Sequence, residues 1–181
     1  MIKRNSYIDK LKKFIGKPQI KIITGIRRSG KSTVLKLLIE ELIGSGVNQT
    51  HIIYLNFESF ANSHLTQAKS LYDEVKGRIT DSGKYYLIFD EVQEVEDWEK
   101  AINSFLVDFD ADIYITGSNS HLLSSELATF LAGRYVEIPI FTLSFSEFLE
   151  FKKSYSEISA SQFSLFVEYL RKGGFPVIHT L

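Results

Sequence analysis

The sequence predicts an α/β fold in which a parallel sheet is covered by helices on both faces. Three observations carry this. Short runs rich in β-branched and aromatic residues alternate with segments of helical period over residues 1–140. The runs are apolar almost throughout, as strands buried on both faces are. A glycine-rich turn links the first run to the helical segment that follows it.

Tyr7, Ile8, Leu11, Phe14 and Ile15 recur at helical spacing until Gly16 and Pro18 stop the pattern, which gives a short amphipathic helix. QIKIIT, residues 19–24, ends at Gly25 and predicts a buried strand. From Lys31 to Ile43 apolar residues stand at 34, 35, 37, 38, 39, 42 and 43, too many for one face, so this helix is buried on more than one side before Gly44 ends it. HIIYLNF from His51 predicts the second strand, and Leu65, Ala68, Leu71, Tyr72, Val75 and Ile79 mark the next helix. YYLIFDE from Tyr85 is a strand closed by two carboxylates. Trp98, Ala101, Ile102, Phe105, Leu106 and Phe109 give a helix with Asp97 placed to cap it. DIYITGS from Asp112 predicts the fourth strand, and Leu122, Leu123, Leu127, Phe130 and Leu131 a helix ended by Gly133. Tyr135–Ile140 is the fifth strand, which Pro139 confines to a sheet edge or a shorter span.

Beyond Pro139, Phe145, Phe148, Leu149 and Lys152 share a helical face behind a Ser144 cap, and Ser161–Lys172 predicts a last helix ended by Gly173 and Gly174. The tail GGFPVIHTL shows no closing element and is expected to lead into a further domain. The organisation read from the chain is a core over 1–140 and a helical extension over 141–181.

At 181 residues and 44% hydrophobic, the chain suits one domain with a substantial core. Its formal charge of -1 provides no chain-wide field toward nucleic acid or membrane. The charges are nonetheless segregated: 11 of the 21 basic residues lie between Lys3 and Lys36, and Asp90–Asp112 carries nine acidic residues against Lys100. The basic cluster of Lys3, Arg4, Lys10, Lys12, Lys13 and Lys17 reads as a solvated helix face, with a nucleic-acid track as the alternative. The absence of cysteine excludes disulfides, thiol catalysis and cysteine-ligated metals. His51, His64, His121 and His179 are scattered without ligand spacing. No segment approaches the ~18 uninterrupted apolar residues of a membrane span, so no membrane contact and a cytoplasmic location are expected.

GIRRSGKS, residues 25–32, fits G-x-x-x-x-G-K-[ST] between a strand and a helix. A polyphosphate needs converging donors without side-chain bulk, and glycines let the backbone wrap it. Gly25, Ile26, Arg27, Arg28, Ser29, Gly30, Lys31, Ser32 and Thr33 are the candidate phosphate cradle. Within it Lys31 would bridge the β- and γ-phosphates and Ser32 would offer a hydroxyl to Mg2+. LIFDE, residues 87–91, ends an apolar strand in Asp90, a candidate Mg2+ ligand, and Glu91, a candidate general base for the attacking water. At the exit of the next strand Thr116, Ser118 and Asn119 could reach the γ-phosphate or the water, with Ser118 or Asn119 favoured as the sensor, or else as the cap of the following helix. Arg134 reads as a γ-phosphate sensor, as a finger offered to a neighbouring subunit, or as a charge at a helix C-terminus.

In this order GIRRSGKS, YLNFE, LIFDEVQEVEDWEK, YITGSNSHLLSSELATFLAGRY, LSFSEFLEF and YLRKGGFP resemble the prokaryotic AAA-type ATPases of the STAND-like kind. In that family an ATPase domain precedes a winged-helix and nuclease-like region. The resemblance implies a three-layer P-loop NTPase fold, with a five-stranded sheet in the order 5-1-4-3-2, and hydrolysis of ATP to ADP and phosphate with Mg2+ as a switch or small motor. It assigns phosphate and metal to Gly30, Lys31, Ser32 and Asp90, the water to Glu91, sensing to Ser118 or Asn119, and an arginine contact to Arg134. Self-association, and a DNA or protein effector reached through the C-terminal region, follow as expected partners. Three other readings compete: a nucleotide-holding module with little turnover, a small-molecule kinase, and a GTPase. Only Arg134 and Arg171 are arginines after residue 80, few for a kinase lid, and no N-K-x-D segment is present to read guanine.

Overall fold

A computed structural model describes residues 4–117, 131, 133–155 and 160–179. Five strands, β1 (Ile20–Thr24), β2 (Ile52–Asn56), β3 (Tyr85–Asp90), β4 (Ala111–Thr116) and β5 (Tyr135–Pro139), form one parallel sheet in the order β2-β3-β4-β1-β5. Read from its other edge this is 5-1-4-3-2, as the resemblance implies. The helices are α1 (Asn5–Lys12), α2 (Lys31–Gly44), α3 (Ala68–Arg78), α4 (Trp98–Asp108), α5 (Phe145–Tyr155) and α6 (Gln162–Lys172). The helix expected over Leu122–Leu131 lies outside the described residues, save Leu131, which is buried.

Successive strand residues point to opposite faces, and here both faces are roofed. Leu87, Phe89, Ile113 and Ile115 share one core with Leu71, Val75, Ile102 and Phe105 from α3 and α4. Ile23, Ile88, Tyr114 and Ile138 share the other with Tyr7 and Leu11 of α1 and Leu35 and Leu38 of α2. This explains why the strands read as continuous apolar runs. In α2, Val34, Leu35, Leu37, Leu38 and Leu42 are buried, more than one helical face holds. β5 pairs only with β1 among the described strands, and Pro139, which has no N–H to donate, stands on that edge opposite Thr24.

The Ser144 cap is as the sequence suggests, and Ser161, read only as the first residue of the last helix, is a second cap. Ser144 and Glu147 exchange bonds at the start of α5: Ser144 N donates to Glu147 Oε2 at 2.9 Å and Glu147 N to Ser144 Oγ at 3.3 Å. Ser161 Oγ accepts from Ser164 N at 3.2 Å at the start of α6. Asp97 is a correction. It precedes α4 but makes no capping bond, because its φ of 56° departs from the extended backbone a capping side chain needs. Its carboxylate takes Lys100 Nζ at 2.6 Å instead.

At the amino-terminal ends of the strands a charged pair is buried. Lys21 Nζ lies 2.5 Å from Asp112 Oδ1, both within 1% of full burial. Lys21 also donates to the Lys17 carbonyl at 2.6 Å, and Asp112 Oδ2 accepts from Gly16 N at 2.6 Å and Tyr114 Oη at 3.1 Å. Burial pulls the Lys21 ammonium below its ordinary pKa against the opposing pull of Asp112. Asp112→Ala leaves that ammonium unpaired in the interior and should cost about 3–5 kcal/mol. In urea denaturation the second replacement, Lys21→Met, should recover most of the loss. An unchanged midpoint for Asp112→Ala would remove the pair as a stabilising element.

Candidate functional site

The glycine-rich loop joins the carboxyl end of β1 to the first turn of α2, and its backbone could not form with ordinary residues throughout. Gly25, Arg28 and Gly30 have φ of 153°, 69° and 102°. A Cβ on Gly25 would stand 2.4 Å from the Ile140 carbonyl oxygen and 2.7 Å from Ser29 Oγ. The first amides of a helix lack partners within it, so the start of α2 supplies donors and a positive dipole end to the same space.

Lys31 is 4% exposed and points back into the loop. Its Nζ donates to the Gly25 carbonyl at 3.2 Å and lies 3.2 Å from Glu91 Oε1. Glu91 takes a left-handed backbone (φ 57°) directly after β3, and its Oε2 accepts from Gln93 Nε2 at 2.8 Å. Asp90, the last residue of β3, is fully buried: Oδ1 accepts from Thr116 Oγ1 at 2.6 Å, and Oδ2 from Tyr54 Oη at 3.0 Å and Asn56 Nδ2 at 3.2 Å. Burial, then the Asp90 charge, push the Tyr54 hydroxyl up to about 12, so it remains a donor to Asp90 at neutral pH. Thr116 also accepts the Glu91 amide at 2.9 Å, which ties the ends of β3 and β4 into one unit.

A pocket of about 430 Å³ opens over the loop. It is lined by Arg27, Arg28, Gly30, Lys31, Ser32, Thr33, Glu58 and Glu91, and by Pro176 and Val177. Gly25, Ser29 and Asp90 lie buried, whereas Ile26 is half exposed. The last two lining residues correct the sequence reading of GGFPVIHTL as a tail without a closing element. Pro176–His179 forms a 3-10 turn and Gly174 accepts from Leu143 N at 2.6 Å, which returns the segment to the pocket. Ser118 and Asn119 lie outside the described residues.

Arg134 is far from this pocket. Its carbonyl accepts from Ile20 N, at the amino end of β1, and it borders a separate groove with Pro18, Gln19, Leu106, Val107 and Gly133. The length of β5 separates it from the phosphate loop, about 16 Å at 3.3 Å per residue. A sensor of this chain's own γ-phosphate is thereby excluded at Arg134. Arg4 is a further correction: it belongs to no solvated basic face but is 2% exposed. Its partners are Ser29, Phe141, Thr142 and Glu147, so nothing local in the sequence marks it. Tyr54 and Asn56 were also missed, although YLNFE places them on a strand that ends level with Asp90.

Residues 17–149 match the AAA domain family. An uncharacterised protein of Haemophilus influenzae is 44% identical over 179 residues, covering 98% of this chain and 44% of that protein. The uncharacterised protein MJ1544 of Methanocaldococcus jannaschii is 37% identical over 168 residues, 88% of this chain and 36% of that protein. The chain thus spans less than half the length of these two curated relatives. Among solved structures, the Walker-type ATPase PABY2304 of Pyrococcus abyssi superposes with a TM-score of 0.68 at 17% identity, covering 97% of this chain and 65% of that one. AMPPCP-bound DnaA from Aquifex aeolicus gives 0.61 at 15% identity, covering 98% and 58%. Sheet order, phosphate loop and family match agree, and the chain belongs to the AAA-type P-loop ATPase family.

Proposed function

We propose that the chain binds ATP with Mg2+ in this pocket and hydrolyses it to ADP and phosphate, as a nucleotide-dependent switch or motor acting on a DNA or protein effector. The observation that carries the reading is the meeting of Lys31 and Glu91 at 3.2 Å beside a loop of positive-φ residues. The donors of the loop and of α2 face the phosphate oxygens. Lys31 leaves Glu91 and the Gly25 carbonyl for the β- and γ-phosphates, and this exchange frees the Glu91 carboxylate to accept a proton from the attacking water. The water oxygen bonds to the γ-phosphorus as the bond to the β–γ bridging oxygen breaks, and ADP carries that oxygen away.

The donor set fits Mg2+, which takes hard oxygens and is commonly held by one or two carboxylates together with substrate phosphates. Ser32 Oγ would hold it directly, and Asp90, whose two oxygens already accept three hydrogen bonds, would act through water. Bound there, Mg2+ would neutralise charge developing on the phosphates. Among the described residues no group of three or more His, Cys, Asp or Glu could hold a metal by itself, in keeping with an ion that arrives with the nucleotide. No helix among the described residues is long and apolar enough to cross a membrane, and the proposed place of action is the cytoplasm.

The direct test is magnesium-dependent phosphate release with ATP beside GTP. Equal use of GTP, or transfer of the phosphoryl group to a metabolite without free phosphate, would sink the reading. The position of Arg134 adds a prediction. If it serves a phosphate it serves that of another copy, so the rate per subunit should rise with protein concentration, and Arg134→Ala should flatten that rise. A concentration-independent rate in both would remove Arg134 from the reaction.

A further inference from the structure

The Arg4 guanidinium lies among groups from three distant parts of the chain. Nη1 donates to the Ser29 carbonyl of the phosphate loop at 3.0 Å and to the Phe141 carbonyl at 3.0 Å. Nη2 donates to the Thr142 carbonyl at 3.4 Å, and the Nε and Nη2 fork grips Glu147 at 2.8 and 3.1 Å. Tyr7 stacks under the guanidinium at 4.4 Å from ring centre to Cζ, and its hydroxyl accepts the Phe141 amide at 3.2 Å. Burial would raise the Glu147 carboxyl, but the bonds from Arg4 and the Ser144 amide outweigh it and hold the carboxyl below its ordinary value.

The connection continues past Arg4. Leu143, next to Thr142, donates its amide to the Gly174 carbonyl at 2.6 Å and accepts from Tyr169 Oη at 2.9 Å. Gly174 is packed so closely that a Cβ would stand 2.4 Å from the Leu143 carbonyl oxygen. Two residues on, Pro176 and Val177 line the same pocket as Arg28 and Gly30, the loop residues on either side of Ser29. The phosphate loop and the 174–177 segment that lines the same pocket are therefore joined through one buried side chain and a few hydrogen bonds.

Resting on the nucleotide-binding reading, we propose that Arg4 is a positioning residue that couples the phosphate loop to the Gly174–Val177 wall, so that filling the loop sets the wall and through it α5 and α6. The chemistry suits this role. Planar, five-donor guanidinium can serve three carbonyls and a carboxylate together, which a lysine ammonium cannot. A loop carbonyl that shifts as phosphate enters moves its share of that fork, and the remaining bonds pass the movement to 141–147.

The test uses the full chain with AMPPCP and Mg2+ as probe, and reads amide hydrogen exchange in peptides covering 25–34 and 173–179. In the wild type, nucleotide should protect both. In Arg4→Gln, saturating nucleotide should still protect 25–34 while protection of 173–179 is lost, and affinity should fall about tenfold; Glu147→Gln, which leaves the three carbonyl bonds in place but loosens the anchor of the guanidinium, should reduce protection of 173–179 part-way. The charge-swapped pair R4E/E147R should not restore coupling, because a glutamate at position 4 cannot donate to the Ser29, Phe141 and Thr142 carbonyls. Wild-type protection of both peptides in the variants, or full rescue by the swap, would overturn the coupling alone. Absence of protection at 25–34 in the wild type would overturn nucleotide binding and the coupling with it. If Arg4→Gln does not fold, Glu147→Gln, whose side chain is 19% exposed, decides the matter.

Discussion

Glu91→Gln is expected to bind ATP more tightly than the wild type while turning it over ~10²–10⁴-fold more slowly. The loss follows from removing the pocket-lining carboxylate that stands beside Lys31. Asp90 cannot take over, being fully buried with both oxygens engaged. The gain in affinity follows from the resting geometry, in which Lys31 must leave a carboxylate at 3.2 Å before it can serve a phosphate. A glutamine holds an ammonium less strongly, and a charge-assisted bond of ~1.5–3 kcal/mol that no longer competes corresponds to about tenfold or more in affinity. Nucleotide titration and phosphate release on the same samples check both halves. Undiminished turnover would take the role of base from Glu91, and weaker binding would mean that the carboxylate assists the nucleotide rather than competing with it.

Lys31→Ala should weaken ATP binding by ~10²-fold and abolish measurable hydrolysis. The side chain is the buried cation among the pocket-lining residues, at 4% exposed, while Arg27 is 84% exposed and spends its charge in solvent near Glu58. Removal also leaves the Gly25 carbonyl and Glu91 without that donor, so stability has to be followed in parallel. Calorimetric titration of Lys31→Ala and Lys31→Met separates the effects. Lys31→Met keeps the apolar stem and should fold better, yet bind as poorly. Binding retained by Lys31→Met would show that packing rather than charge holds the nucleotide.

The sheet, α2 and the phosphate loop were legible because each is signalled locally. IKIIT and YYLIFD are apolar but for Lys21, Thr24 and the closing Asp90, and Gly25 and Gly30 stand where the phosphate loop adopts positive φ. Pro139 announced an edge strand for a reason internal to its own peptide unit. The strand order came from family resemblance, since buried parallel strands carry no mark of their neighbours. Arg4 was hidden for the opposite reason: in sequence it looks like its exposed neighbours Lys10 and Lys12, and its nearest long-range bond crosses 25 residues. Pro176 and Val177 reach the pocket only through α5 and α6 folding back, which no periodicity states. Asp97 was misjudged as a cap because composition reveals a capping residue type but not its backbone angle.

The buried Lys21–Asp112 pair sits at the pole of the sheet away from the nucleotide pocket, yet it bears on the alignment of the catalytic end. Strands apolar on both faces offer little to distinguish one sliding position from the next. A slip of one residue between β1 and β4 would strand two opposite charges in the interior without each other. It would also carry Gly25 and Lys31 about 3.3 Å along the strand axis relative to Thr116 and the carboxylates Thr116 organises. The ion pair thus works as a keyway: by forbidding neighbouring alignments at one end, it sets the height at which the loop meets Asp90 and Glu91 at the other.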